Sequence, residues 1–148
     1  MKKLLILFLV VFSCSCFAQN KWALNSLITS SQTLTNGWVN LGSEINTRKN
    51  SYIVALVNLD INDSKNFRIR RVCRYESGGD NYDILIQSPD NGVVNIETEY
   101  FELNVDADTK FVEIFATKGC PYIIFQVEAG TVGASAGKIL TAKYTNTF

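Results

Sequence analysis

The chain has 148 residues, in which 14 Lys and Arg residues balance 14 Asp and Glu residues, and it contains no histidine. This length suits one domain with a substantial core. The balanced charge gives no general attraction to nucleic acid or to anionic lipid. The absence of histidine excludes Ser-His-Asp and Cys-His catalytic arrangements and removes the commonest metal ligand. We therefore expect no enzyme activity, no cofactor, no metal site and no nucleic-acid partner.

The N-terminus has the parts of a secretory signal peptide. Lys2 and Lys3 precede an apolar run, Leu4–Phe12, which is shorter than the roughly 20 residues needed to span a bilayer. Small residues then lead to Ala18, where signal peptidase cleavage is expected. We therefore expect residues 1–18 to be removed and the protein to be secreted or displayed at the cell surface.

A second cleavage site competes with the first. Residues 11–14 resemble a lipoprotein box, and cleavage there would leave Cys14 lipidated at a membrane surface. In the first alternative the mature chain begins at Gln19. Loss of Lys2 and Lys3 then leaves 12 basic residues against 14 acidic ones. Membrane association is expected only in the lipidated alternative.

The rest of the chain has the pattern of an all-β protein. Residues 19–36, rich in Ser, Thr and Asn, predict an N-terminal arm with one weak strand near Ser31–Leu34, and residues 37–148 predict a single domain. Segments rich in Val, Ile, Tyr, Phe and Thr predict eight strands: Trp38–Leu41, Tyr52–Ile61, Phe67–Tyr75, Tyr82–Gln87, Val93–Leu103, Phe111–Ala116, Tyr122–Val127 and Ile139–Tyr144. Gly, Asn, Asp and Pro separate them, and no apolar stripe has helical spacing. The sequence predicts an antiparallel β-sandwich, with a jelly roll as the preferred topology.

Two of these segments are apolar on both faces of the strand. Tyr52–Val57 and Tyr122–Phe125 lack the alternation of polar and apolar residues that a strand with one wet face shows. Such strands are either central strands covered on both sides or strands buried at a subunit contact. Because a small sandwich cannot easily cover both, the pattern predicts self-association or binding to another surface protein.

The strand at Phe67–Tyr75 carries a stripe of basic residues. Arg68, Arg70 and Arg74 alternate with apolar neighbours, with a possible bulge at Arg71 and Val72. Acidic side chains on neighbouring strands could pair with this stripe. Together with aromatic residues near loops it gives the candidate contacts for a ligand or a partner: Arg68, Arg70, Arg74, Trp38, Tyr75 and Tyr82.

Cysteines and acids leave alternatives open. If the leader is removed, Cys73 and Cys120 remain, either as a disulfide or as two small buried side chains.

Glu97, Glu99 and Glu102 could serve glycoside hydrolysis, but pairing with the arginine stripe is the simpler explanation. The acidic loops near residues 60–66 and 104–109 lack the glycine and the distal Glu of an EF-hand and predict turns rather than calcium sites.

Part of the chain resembles a known family. The resemblance lies in Trp38–Ile45, 59–70, Tyr100, Glu102–Asn104 and the run PYIIFQVEAGTVGASAGKI at Pro121–Ile139. These segments resemble small β-sandwich structural proteins of tailed bacteriophages, of the head-decoration or virion-component kind. The signal peptide departs from that family, whose virion proteins assemble in the cytoplasm, so the resemblance implies a different use of the fold.

These observations lead to a functional expectation. The chain is expected to be an exported, non-catalytic structural or adhesive surface module. The alternative is a secreted carbohydrate-binding module, in which the exposed aromatic residues would stack on sugar rings.

Overall fold

The computed structural model describes residues 24–90, 93–104 and 107–147, with residues 86–90 and 93–98 described by their backbone alone. The described residues form strands and no helix. The predicted signal peptide, Cys14, the cleavage site before Gln19 and the first residues of the predicted arm lie outside them. The strands are β1 (Asn25–Ser26), β2 (Gln32–Thr33), β3 (Val39–Asn46), β4 (Tyr52–Asp60), β5 (Lys65–Arg74), β6 (Tyr82–Asp83), β7 (Leu85–Asp90), β8 (Val93–Thr98), β9 (Phe101–Leu103), β10 (Thr109–Ala116), β11 (Tyr122–Thr131) and β12 (Lys138–Thr147).

The strands form two five-stranded antiparallel sheets, which confirms the predicted β-sandwich. Sheet A has the order β1-β12-β4-β10, with β2 also paired to β12. Sheet B has the order β3-β11-β5-β6, with β9 also paired to β5. Strands β7 and β8 form a separate hairpin. Consecutive long strands alternate between the sheets, so nearly every connection crosses from one layer to the other.

The core lies between the two sheets and follows strand alternation. On β4 the inward residues are Ile53, Ala55, Val57 and Leu59, all with 2% exposure or less. They face the inward side chains of sheet B, which include Phe67, Ile69, Ile123, Phe125 and Val127. Because alternate residues of a strand point to opposite faces, this packing also fixes which residues point outward.

The described part of the predicted arm belongs to the sandwich. Leu27 and Leu34 are buried in the core, and Leu27 and Leu34 donate backbone hydrogen bonds to Ala142 and Gly137. The weak strand predicted near Ser31–Leu34 is present as β2. Gly42 has a φ of 75°, and a Cβ there would collide with the carbonyl group of Leu27. The arm can therefore pass close to β3 because residue 42 is glycine.

Two predicted strands are divided. The segment Tyr82–Gln87 separates into β6 and β7, with Ile84 between them turned into the core at 8% exposure. The segment Val93–Leu103 separates into β8 and β9 around Glu99, whose backbone N–H donates to the carbonyl oxygen of Ile84. The two parts of each segment pair with different strands, and residue propensity alone does not predict such a division.

A disulfide joins Cys73 of β5 to Cys120, which precedes β11. The two Cα atoms lie 5.4 Å apart, a normal separation for a disulfide. Both residues are buried on the core side of sheet B. Thr47 donates its hydroxyl to the Cys120 carbonyl oxygen, which ties the loop after β3 to the same corner.

Candidate functional site

The arginine stripe lies on the outer face of sheet B. Arg68, Arg70 and Arg74 point away from the core, as the alternation predicted. Arg68 contacts Glu102 at 2.5 Å and Glu128 at 3.2 Å, and the hydrogen bond to Glu102 is the main cause of its raised pKa. All three arginines make ion pairs or hydrogen bonds within the chain, so most of the charge on this face is already paired.

Trp38 belongs to this face. The Arg70 guanidinium lies 4.5 Å from the centre of the Trp38 ring, and its Nε donates to Gln126 at 2.9 Å. Arg68 lies 5.2 Å from the Tyr100 ring, and the Trp38 and Tyr100 rings are 6.4 Å apart. The aromatic side chains are therefore stacked on arginines of the same chain.

Tyr75 and Tyr82 lie together at the end of β5. Their rings meet edge to face at 5.4 Å, and both are about half exposed or more. Nearby, Arg74 donates to Asn81 at 2.6 Å and to Glu44 at 3.2 Å. The six candidate contacts thus fall into two groups: Trp38, Arg68 and Arg70 in one, and Arg74, Tyr75 and Tyr82 in the other.

The carboxylate of Glu44 organises the second group. The backbone N–H of Gly78 donates to it at 3.0 Å, and the Ser77 hydroxyl donates at 2.8 Å. The Gly78 hydrogen bond is the largest influence on its pKa, which is lowered despite the opposing effect of burial. This carboxylate holds the turn after β5 against β3.

The outer face of sheet A has the opposite character. Its cross-strand pairs join Val112 to Leu56 and Ile114 to Val54. Val112 and Ile114 are 59% and 61% exposed. Tyr52, 47% exposed, extends the same face at one end. We call these five residues, Tyr52, Val54, Leu56, Val112 and Ile114, the apolar face.

A shallow groove of about 450 Å³ continues the apolar face. Leu24, beside β1, lines it together with Leu56 and Val112. Lys110 and Lys143 line the same end of the groove, which is the end away from Tyr52. The described structure places no side chain over the exposed atoms of Val112 and Ile114.

Arg71 was missed as a candidate, and the predicted bulge at Arg71 and Val72 is wrong. β5 pairs with β11 in continuous register from Arg68 to Arg74. Strict alternation therefore turns Arg71 inward, in phase with Ile69 and Cys73, and leaves it 3% exposed. Continuous alternation is the sequence signal that would have found it.

Arg71 takes part in a small charged cluster at the edge of the sandwich. Its Nη2 donates to Glu99 at 2.8 Å, and Lys118 donates to the same carboxylate oxygen at 2.8 Å. Burial raises the pKa of Glu99, but the Lys118 hydrogen bond and the Arg71 charge outweigh it, and the pKa is lowered. Glu99 therefore stays ionised at neutral pH.

The three glutamates considered for glycoside hydrolysis do not act as one group. Glu102 pairs with Arg68 on the outer face of sheet B, whereas Glu99 pairs with Arg71 at the edge. The side chain of Glu97 lies outside the described part of the structure. Acids of the two predicted turns join separate loops: Asp108 accepts from the Ile61 N–H and Asp63 from the Ser135 N–H, both at 3.1 Å.

Comparisons with known proteins add no identity. No family model matches the chain, and no curated protein matches its sequence. Within residues 24–90, 93–104 and 107–147 there is no group of three metal-ligating side chains placed to hold an ion. The same residues include no helix long and apolar enough to cross a membrane.

Proposed function

We propose that the protein is an exported, non-catalytic contact module that self-associates through the apolar face of sheet A. The observation that carries this proposal is the exposure of Val112 and Ile114 beside Leu56 and Val54. Contiguous apolar surface of this kind is uncommon on a soluble monomer and marks a contact site. Export is supported by the N-terminal leader and by the disulfide, which persists in oxidising compartments.

The size of the face suits a second copy of the chain. The three long strands of sheet A, β12, β4 and β10, lie about 4.8 Å apart and share about eight residues of length, so its outer face covers roughly 400 Å² in projection. A stable contact buries roughly 800 Å² of each partner, so a second copy would cover the apolar face together with the polar residues around it. A smaller ligand would leave most of the face uncovered.

The charges at the border of the face favour a two-fold arrangement. Lys110 and Lys143 lie at one end of the face and Tyr52 at the other. In a two-fold pair with antiparallel strands, each lysine would meet the Tyr52 end of the partner rather than its lysines. Such a pairing avoids repulsion and brings a cation towards an aromatic ring.

We also infer a jelly-roll topology, which the strand order supports. When β1 with β2 counts as the first strand and β6 with β9 as the fifth, sheet A has the order first, eighth, third, sixth. Sheet B then has the order second, seventh, fourth, fifth. This is the order of two interleaved Greek keys, an architecture used by viral capsid and lectin domains. It agrees with the resemblance to phage structural proteins and with a role in contact rather than catalysis.

Light scattering of the purified mature protein over a concentration series tests the proposal. We expect a dimer or larger species for the wild type. Ile114→Glu combined with Val112→Glu places charge at the centre of the face and should give a monomer at the same concentrations. Leu85→Glu is the matched control, because Leu85 is 53% exposed but belongs to the β7–β8 hairpin.

Two outcomes would contradict the proposal. A wild-type protein that stays monomeric up to millimolar concentration would exclude self-association. Dissociation by Leu85→Glu to the same extent as by the double substitution would show that the contact lies elsewhere.

A further inference from the structure

The shallow groove that continues the apolar face has one polar end. Thr141, Asn58 and Lys110 are cross-strand neighbours on β12, β4 and β10, and all three line this end. Lys143, two residues further along β12, lines it as well. The other lining residues of the described structure are apolar: Leu24, Leu56, Val57, Phe111 and Val112. The groove therefore joins a polar end to an apolar remainder.

The two lysines at the polar end carry charge that the described chain does not neutralise. Neither Lys110 nor Lys143 forms an ion pair with a described residue, and no acid of the described structure lines the groove. They stand on β10 and β12, which flank β4 and are therefore about 10 Å apart. Because a lysine has a flexible four-carbon stem, both ammonium groups can reach one anion above β4. The Asn58 amide and the Thr141 hydroxyl can donate hydrogen bonds to the same anion.

A ligand that uses the whole groove needs an anionic group and an apolar chain. An inorganic anion would meet the lysines but leave Leu56 and Val112 in water. A neutral apolar molecule would cover these side chains but leave the lysines without a counter-charge. The groove volume of about 450 Å³ lies within the usual range for small ligands, about 300–1,000 Å³. A single acyl chain that ends in a carboxylate has both parts in the required order.

We propose that the groove binds a free fatty acid, with its carboxylate at Lys110 and Lys143 and its chain over Leu56 and Val112. The groove lies in the plane of the sheet, so it receives a chain that lies flat. A free fatty acid can lie flat, whereas a lipid held upright in a bilayer cannot.

A bound fatty acid also bears on self-association. Leu56 and Val112 belong to the apolar face, so a second copy of the chain and the acyl chain need the same two side chains. The ligand binds the separated form better and therefore shifts the equilibrium towards monomer. This regulatory step rests on the proposed function, whereas binding to the groove does not.

The test of the groove is a nuclear magnetic resonance titration of the ¹⁵N-labelled mature protein with octanoate and decanoate, at concentrations below micelle formation. The backbone signals of Leu56 and Val112 should shift with both. Decanoate should bind about four-fold more tightly or better, because two more methylene groups leave water. Octanol lacks the anion and acetate lacks the chain, so each should bind roughly ten-fold more weakly than octanoate.

Two pairs of lysines provide the matched variants. Lys110→Gln combined with Lys143→Gln should weaken decanoate roughly ten-fold. Lys65→Gln combined with Lys138→Gln removes the same charge from exposed lysines that do not line the groove, and should leave the affinity within about two-fold. Circular dichroism should show the wild-type fold in both, since no ion pair of the described structure is lost.

Light scattering tests the regulatory step separately. Decanoate at saturation should lower the average mass of the wild-type oligomer towards that of a monomer, and octanol at the same concentration should not. An oligomer that persists while the groove signals show bound decanoate would refute the competition alone. A wild type that is monomeric without ligand would refute the proposed function and the competition together, and the titration would still decide the groove.

The titration can overturn the groove in three ways. If decanoate leaves the signals of Leu56 and Val112 unchanged, the groove does not bind fatty acids. Equal weakening by the two lysine pairs would mean that the carboxylate is not held at Lys110 and Lys143. Shifts produced by phosphatidylglycerol vesicles but not by decanoate would show that the surface contacts a membrane instead.

Discussion

Strands β4 and β11 look alike in sequence and differ in what covers them. Each lies inside its sheet, and each carries apolar residues on both faces. On β11 the outward Ile124 is 4% exposed and pairs with Val72, which is fully buried. On β4 the outward Val54 and Leu56 are only half-buried, and their β10 neighbours are exposed.

The neighbouring side chains explain the difference. Arg70 and Arg74 flank Val72 on the outer face of sheet B and reach across the sheet, to Asp83 on β6 and to Glu44 on β3. The long stem of an arginine can cover apolar surface while its head remains in contact with water or a carboxylate. The neighbours of Val54 and Leu56 are short side chains and one lysine at the border. The arginines that flank Val72 can therefore cover the outer face of sheet B within the chain, and the apolar face has no such pair of arginines beside it.

Opening the disulfide should disturb the covered sheet most. The bridge spans 47 residues of sequence and holds β5 to the turn before β11. Closing a loop of that length in the unfolded chain is worth about 4 kcal/mol. Chemical denaturation with and without reductant should show a loss of this size, and Cys73→Ser with Cys120→Ser should match the reduced wild type. Equal stability in both conditions would contradict the prediction.

Truncating one outward apolar side chain on each sheet should show that the outer face of sheet B is covered and that of sheet A is not. Ile124→Ala leaves a cavity under the arginines and should cost about 3 kcal/mol, independent of protein concentration. Leu56→Ala should cost only about 1 kcal/mol in dilute solution, because its side chain is already partly exposed. Denaturant titrations at two protein concentrations provide the measurement. Equal costs for the two substitutions would mean that the difference in cover is unimportant.

The sequence predicted the class of fold because strand alternation and turn residues are local signals. The predicted strand Phe67–Tyr75 is confirmed as β5, which ends one residue earlier, and Arg68, Arg70 and Arg74 point outward as expected. Strand pairing was harder to predict, because the sequence of Tyr82–Gln87 does not indicate that Ile84 interrupts the strand and enters the core. Which outward residues are covered depends on cross-strand neighbours far apart in sequence, as Val72 and Ile124 are.

The charged cluster around Arg71 could be predicted only in part. Arg71 follows from uninterrupted alternation along β5, and the assumption of a bulge hid it. Glu99 was named from the sequence, but its partners Arg71 and Lys118 lie 28 and 19 residues away. Only the folded chain brings these three side chains together.

Acid should weaken the polar contacts of sheet B and spare the apolar face, with a smaller effect than either change above. The pKa of Glu44 is lowered, chiefly by the Gly78 hydrogen bond. The pKa of Glu99 is lowered as well: burial raises it, but the Lys118 hydrogen bond and the Arg71 charge outweigh that effect. A carboxyl group whose folded pKa is depressed stabilises the protein above its ordinary value of 4.5, and this contribution is lost as the pH falls through the folded value.

The free energy of unfolding should therefore be level near neutral pH and fall below about pH 4.5. Glu44→Gln combined with Glu99→Gln should be less stable than the wild type at pH 7 and should lose less on acidification. No carboxylate belongs to the apolar face, so light scattering at pH 4 should still give the oligomer found at pH 7. If acid separates the subunits while the fold persists, ionised carboxylates rather than apolar contact hold the copies together. If the double variant loses as much free energy of unfolding below pH 4.5 as the wild type does, these two carboxylates contribute little to stability.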